Sequence, residues 1–238
     1  MRAFFPSKLS REQITILNKQ GITPVTIPLI KTVSLPFPAE IVEIFRPDFI
    51  VFSSKNGVKH FFSRISVDHI QNTKVIAVGK STAKLLKDRG IEPLIPESFS
   101  GEGLIELIKK NKLKGKFLLI KPKKARNLLP EFLKKEGNIV QEVIAYETVT
   151  NTEAADEMAR EVAKGFEIAT FTSPSTFKSF LKLSGEKGKQ LLRKTKIIPI
   201  GHVTAEAIQK TGFKVWKLPQ EYTLNGIIKL IIEYGGKR

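Results

Sequence analysis

The chain has no cysteine among its 238 residues. That removes disulfides, thiolate metal sites and thiol nucleophiles together. Its three histidines, His60, His69 and His202, share no metal-ligand spacing, so no metal site is expected. A surface position is expected for each of them. No Ser-His-Asp arrangement and no pair of carboxylates stands out. Aromatics that could stack on bases are scarce, with three Tyr and one Trp, and no recognition motif is present. Nucleic acid is therefore not an expected partner. No stretch approaches the ~20 apolar residues of a membrane span. The opening MRAFFPSK lacks the apolar run of a signal peptide. A cytoplasmic protein without membrane association is expected. Acidic residues are also few, 23 against 40 Lys and Arg, for a net charge of +17. Between Leu107 and Pro130 there are nine Lys or Arg and no Asp or Glu. Such a field steers anions, although lysine-rich surfaces also occur in heat-adapted proteins.

A strand, turn and helix occur twice. KVIAVGKSTAKLLKDRG (Lys74 to Gly90) returns 122 residues later as KIIPIGHVTAEAIQKTG (Lys196 to Gly212), with six of 17 positions identical. Upstream of each lies a second matched pair, VFSSKNGVKHFF (Val51 to Phe62) and TFTSPSTFKSFL (Thr170 to Leu181). The period is too long for a solenoid unit. It reads as two similar α/β domains.

Strand-length runs alternate with amphipathic helix-length segments throughout, the pattern of largely parallel sheets. Strands are expected near Ala3–Phe5, Thr23–Ile27, Phe49–Ser53, Val75–Val78, Glu92–Ile95, Phe117–Ile120, Ile139–Tyr146, Ile168–Thr172, Ile197–Ile200 and Lys214–Lys217. Helices are expected over Thr82–Arg89, Leu104–Asn111 and Thr204–Lys210, with Gly90 and Gly212 closing two of them. The first copy then holds five strands and the second only three. Two N-terminal strands remain to complete the second. Residues 1–34 with 149–238 are thus expected to form one discontinuous domain, and 35–148 an inserted one. The joins would be Leu35-Pro36-Phe37-Pro38 and Tyr146-Glu147-Thr148-Val149, a natural hinge over a cleft.

Ligands of open parallel sheets bind where strands end and turns lead into helices. Ser53 and Ser54 sit at such a position, as do Thr172 and Ser173. Their hydroxyls either cap the next helix or join its free N–H groups in holding an anion. Gly79-Lys80-Ser81-Thr82 and Gly201-His202-Val203-Thr204 form a second pair of turns. There glycine permits close approach and threonine adds a hydroxyl. A P-loop is excluded at Gly79, because the position needing the first glycine is Lys74. The basic loop Lys121 to Arg126 also follows a strand and reads either as an anion site or as a solvated loop. Tyr146, ending a long strand, is placed to act as a weak acid or simply to pack.

FSSKNGV (Phe52 to Val58), AVGKSTAKLL (Ala77 to Leu86), YET (Tyr146 to Thr148), FTSPST (Phe171 to Thr176) and IGHVTAEAI (Ile200 to Ile208) together resemble the uroporphyrinogen-III synthase family, in order and spacing over nearly the whole chain. The resemblance implies two flavodoxin-like parallel-sheet domains joined by a two-stranded connector. It implies cyclisation of hydroxymethylbilane with inversion of its last ring through a spiro intermediate, in haem biosynthesis, with no metal or cofactor. Carried onto this sequence, it assigns Tyr146 as proton donor for loss of the terminal hydroxyl. It assigns Ser54, Thr82, Ser173, Val203 and Thr204 to the substrate's many carboxylates. The turn and loop residues Ser53, Gly79, Lys80, Ser81, Lys121, Arg126, Gly201 and His202 complete the expected binding set, although Lys121-Pro122 departs from the Arg-Gly that many relatives have there. A monomer is expected, with delivery of substrate by the preceding pathway enzyme. The competing reading is a non-catalytic two-domain module that binds anions or tetrapyrroles.

Overall fold

A computed structural model of the chain describes residues 1–125 and 127–235. Residue contacts divide it into two compact units, Met1–Lys31 with Val149–Arg238, and Thr32–Thr148.

The discontinuous unit carries a four-stranded sheet in the order β2 (Thr23–Thr26), β1 (Arg2–Phe5), β8 (Ile168–Phe171), β9 (Lys196–Pro199). Every pairing in it is parallel. The continuous unit carries five strands in the order β3 (Ile30–Ser34), β7 (Ile139–Thr150), β6 (Lys116–Pro122), β4 (Phe49–Phe52), β5 (Lys74–Ala77). The pairs β4–β5, β4–β6 and β6–β7 are parallel. β3 and β7 both run across the boundary between the units. The N–H of Leu35 donates to Ala145 O and that of Asn151 to Leu29 O, at 3.0 and 2.9 Å. Those two bonds make β3 and β7 an antiparallel pair.

Both sheets are covered on both faces, so central strands such as Phe49–Phe52 and Ile168–Phe171 are buried at every position. Alternation sends Ile50 and Phe52 against helices α3 (Lys55–Phe61) and α4 (Lys80–Lys87). Phe49 and Val51 go to the other face, against α5 (Gly101–Lys110) and α6 (Leu128–Lys135). The short α2 (Ile41–Phe45) adds Val42 to the first face. In the other unit Phe4 and Phe171 pack with α7 (Ala155–Lys164), α8 (Pro174–Lys194) and α9 (His202–Gln209), while Ala3 and Phe5 pack with α1 (Arg11–Lys19) and α10 (Leu224–Gly235).

The sheet orders share a hidden relation. The order β2-β1-β8-β9 corresponds to β7-β6-β4-β5 if β8 matches β4 and β9 matches β5, as the repeat requires. β1 and β2 then stand where β6 and β7 stand, but come before the matched pair in the chain instead of after it. One unit is a circular permutation of the other.

Four expectations from the sequence need correction. Glu92–Ile95 is not a strand: only Leu94 bridges to Ile76, because Pro93 and Pro96 flank it and have no N–H to give. Lys214–Lys217 contributes one ladder-like bond, Trp216 N–H to Ile197 O at 2.9 Å, and stays a loop. Ile30–Ser34, assigned no structure from sequence, is β3. The strand expected to end at Tyr146 runs on through the join to Thr150 within β7, in keeping with a two-stranded connector. The expected helices also begin earlier, with N-caps at Gly79, Ser100 and Gly201.

Phe52 packs against the rings of Phe61 and Phe62, and Phe171 against those of Phe4, Phe177 and Phe180. Phe52→Ala and Phe171→Ala should each destabilise the protein by about 3–5 kcal/mol, read as shifts in urea midpoint. A loss below about 1 kcal/mol would show that the ring clusters are not the packing cores.

Candidate functional site

The carboxyl ends of β4, β5, β8 and β9 all lead directly into helices. After β4, Ser54 caps α3, with the N–H of Gly57 donating to its Oγ at 3.1 Å. After β8, Ser173 forms a capping box with Thr176: Thr176 N–H donates to Ser173 Oγ at 3.2 Å and Ser173 N–H to Thr176 Oγ1 at 3.1 Å. Capping is therefore realised at both serines. The glycine turns offer no side-chain cap. There Thr82 and Thr204, in the first turns of α4 and α9, are 2% and 3% exposed. Neither hydroxyl has a hydrogen-bond partner among the described residues. Among the described residues only Asn151 Oδ1 is both sealed and unpartnered, so the two threonine oxygens keep some surface.

Tyr146 owes its position to an irregularity in the ladder. Lys121 pairs with Ile144, but the next residue, Pro122, pairs with Tyr146, so Ala145 is an extra residue in β7. Pro122 lacks the N–H that a regular register would use. Alternation would put Tyr146 on the side of Ile144, which is 43% exposed. The shift turns it instead onto the side of Val143 and Ala145, where it is 5% exposed. On that face its hydroxyl lies 2.8 Å from Ser54 Oγ. Its ring stacks on that of His60, with centroids 5.2 Å apart and planes at 14°. Ser54 and His60 belong to the cap and the body of one helix, so α3 holds both ends of the tyrosine.

His60 is half-buried, not on the open surface as expected from sequence. Its Nδ1 is 2.7 Å from Ser34 Oγ and its Nε2 2.9 Å from Thr32 Oγ1, both on β3. Either tautomer satisfies both contacts, since each hydroxyl can donate or accept. Burial, and then the neighbouring Lys59 charge, hold its pKa below the usual imidazole value. The ring against Tyr146 is thus kept neutral near pH 7.

A profile of the family described as "Uroporphyrinogen-III synthase HemD" matches residues 12–229. The chain belongs to the uroporphyrinogen-III synthase family. A protein named uroporphyrinogen-III synthase from Chlorobaculum parvum is 31% identical over 195 residues, covering 77% of this chain and 78% of that one. A putative uroporphyrinogen-III synthase from Methanocaldococcus jannaschii is 29% identical over 224 residues, covering 91% of each. The crystal structure of the Helicobacter pylori uroporphyrinogen-III synthetase superposes with a TM-score of 0.73 at 20% identity, over 98% of both chains, and shares the fold. This is an enzyme family of porphyrin biosynthesis.

Within that family setting the remaining assigned residues divide by what they touch. Ser53, Lys80, Ser81, His202 and Val203 are exposed beside their turns. Lys80 Nζ sits over the ring of Phe99, 5.9 Å from its centroid. Lys121 differs from expectation: its ammonium is paired with Glu142 and only 13% of the side chain is exposed. Lys123 is paired with Glu147 at 3.0 Å. Acidic residues on β7 thus answer two charges of the basic loop. Arg126 lies outside the described residues. A cavity of about 260 Å³ opens beside Ser53, between the carboxyl ends of β4 and β6, where the connections from β4 diverge. Such switch points are where open sheets bind ligands. A larger, open hollow of about 670 Å³ lies by Lys74 and Val75, at the other end of β5, and touches none of the turns.

Three features escaped the sequence reading. His60 is one, since nothing in its spacing marks a contact with Tyr146. Tyr222 is another: it is 54% exposed and stands edge-on to His202, with ring centroids 5.4 Å apart. The third is the turn Pro6–Ser10 after β1, which the permutation makes the counterpart of the basic loop after β6.

The two glycines also prove unlike. Gly79 has φ 107° and ψ 150°, a conformation open essentially to glycine alone. Gly201 is extended, φ −173°, but a Cβ there would meet the Tyr222 ring at 3.3 Å. Gly79→Ala should cost about 1–3 kcal/mol in urea denaturation. Gly201→Ala should cost less, and adding Tyr222→Ala should recover part of the loss. Equal costs that Tyr222→Ala leaves unchanged would contradict this asymmetry.

His60 also makes a pH prediction. Its folded pKa is depressed, so below about pH 6.5 the unfolded chain binds a proton that the folded one resists. Its contribution to stability is complete above that value and is lost as pH falls through the folded pKa. The urea midpoint of the wild type should therefore drop more between pH 7 and about pH 5 than that of His60→Gln. Parallel profiles for the two proteins would refute the assignment.

Proposed function

We propose that the chain is a uroporphyrinogen-III synthase that closes hydroxymethylbilane with inversion of its last ring. Loss of the terminal hydroxyl leaves an azafulvene, attack at the substituted carbon of the last ring gives a spiro intermediate, and fragmentation with reclosure sets the inverted ring. Since the substrate also closes unaided without inversion, the protein must govern geometry as well as rate. Orientation of reacting groups supplies on the order of 7–11 kcal/mol in favourable cases.

Thr82 and Thr204 are the observation that carries this reading. Two hydroxyls on buried threonines, their oxygens not fully sealed and without partners among the described residues, are suited at matched turns to an acidic ligand. The N-terminal N–H groups of α4, α8 and α9 would add to them. Exposed Ser53, Lys80, Ser81, His202 and the backbone at Val203 are assigned to further carboxylates. Lys121 could join only by giving up Glu142, so it is the weakest member of the set. Tyr146 is assigned the proton that the departing hydroxyl needs. In this proposal residues 1–34 with 149–238 form one domain and residues 35–148 the other. The protein works as a monomer in the cytoplasm and takes its substrate from the preceding enzyme.

Purified protein supplied with hydroxymethylbilane should yield the type III isomer in excess over type I after oxidation of the products. A product pool matching spontaneous closure would falsify the reading and favour a binding module. Thr82→Val and Thr204→Val keep the packing volume and should each raise KM roughly three- to tenfold, the worth of one hydrogen bond. An unchanged KM in both would remove these hydroxyls from the site.

A further inference from the structure

Tyr146 is 5% exposed, whereas Ser54 is half-buried and adjoins the exposed Ser53. The Tyr146 hydroxyl is already engaged inside its own unit. Its one hydrogen-bond partner among the described residues is Ser54 Oγ, at 2.8 Å. Which of the two donates follows from counting. A serine oxygen has two lone pairs and one proton. The N–H of Gly57 occupies one lone pair. If Ser54 gave its proton to Tyr146, the buried phenol proton would have no acceptor, a costly arrangement. If Tyr146 donates, the second lone pair is filled, nothing buried is left over, and the proton of Ser54 is free for a third group.

From this satisfied arrangement we infer that Ser54 is the catalytic residue that protonates the departing hydroxyl of a hydroxymethylpyrrole, with Tyr146 as the proton source behind it. The inference rests on the proposed reaction and deepens it. As the C–O bond breaks, its electron pair goes to oxygen, the Ser54 Oγ proton joins it, and water leaves. Ser54 Oγ takes the Tyr146 proton in the same motion. The phenolate that results is neutralised later, by the proton lost from pyrrole carbon on ring closure, returned through the same two oxygens. One water is released in total and both side chains regain their starting states.

The other contacts fit such a relay. The capping bond from Gly57 fixes the Ser54 oxygen, and the irregularity at Ala145 aims the phenol at it. His60, stacked on the ring and tethered to Ser34 and Thr32, is a positioning residue that stops the ring from tilting away.

Single-turnover kinetics on the full-length protein test the relay. Ser54→Asn keeps a capping side chain but has no hydroxyl proton to pass on. It should lower the rate of type III formation roughly ten- to a hundredfold, with KM within about twofold. Ser54→Thr should restore most of that loss. Tyr146→Phe should lower the rate similarly, and Ser54→Asn with Tyr146→Phe should be no slower than Ser54→Asn alone. Should Ser54→Asn fail to fold, the proton inventory in mixed H2O and D2O decides. It should be curved for wild type, with two protons in flight, and linear for Tyr146→Phe. A full rate in Ser54→Asn, multiplicative losses in the double variant, or a linear wild-type inventory would overturn the relay. Each of these presupposes a wild type that makes type III product. A wild type that makes none overturns the reaction itself.

Discussion

The discontinuous unit hangs on the pairing of β1 with β8. Ala3 lies against Ile168 and Phe4 against Ala169, strands separated by most of the chain. Arg2 reinforces the junction: its N–H donates to the Glu167 carboxylate at 2.6 Å, and its guanidinium donates to Gly165 O at 2.7 Å and pairs with Glu161. Glu161 is held below the usual carboxylate range by Lys164 and then by Arg2. Without this pairing, β1 and β2 would be a two-stranded fragment unable to bury both faces. With it, four parallel strands direct their carboxyl ends to one edge, and the turns bearing Ser173 and Thr204 come together within the unit.

The same logic of directed strand ends operates in the continuous unit, with one added device. Parallel pairing of β4, β5 and β6 gathers Ser54, Thr82 and Lys121 at one edge. Tyr146 joins them on the Ser54 face only because β7 carries an extra residue opposite Pro122. A residue in strand register would have kept its phenol on the other side of the sheet. The counterpart capping serine, Ser173, closes on Thr176 instead. The matched motifs have therefore taken different local roles.

Much of the fold was legible because strand and helix periodicities are local. The runs at Phe49–Phe52 and Ile168–Phe171 are buried at every position and Lys196–Pro199 at all but its lysine, as their apolar composition announces. The expected strands at 92–95 and 214–217 failed for a reason that local composition does not carry. A β-rich run becomes a strand only where its N–H and C=O groups meet those of a neighbour. Prolines at 93 and 96 remove donors from the first run, and the second makes one such bond, from Trp216 to Ile197. Of the site, the turns at 53–54, 79–82, 173 and 201–204 were readable as caps or ligand turns. Whether a hydroxyl was already occupied was not. Among the described residues Ser54 and Ser173 are engaged and the hydroxyls of Thr82 and Thr204 are not, although all four stand at similar strand-to-helix turns.

What the amino-acid order determined by itself was the repeat, the parallel α/β class, the turn residues and the family likeness. Each of these depends on neighbours a few positions apart. Only the tertiary structure decided that one unit is a permuted version of the other, that Lys121 is neutralised by Glu142, and that His60 stacks on Tyr146. Each of those is a pairing across strands or between helix and sheet, where distance in space bears no fixed relation to distance along the chain.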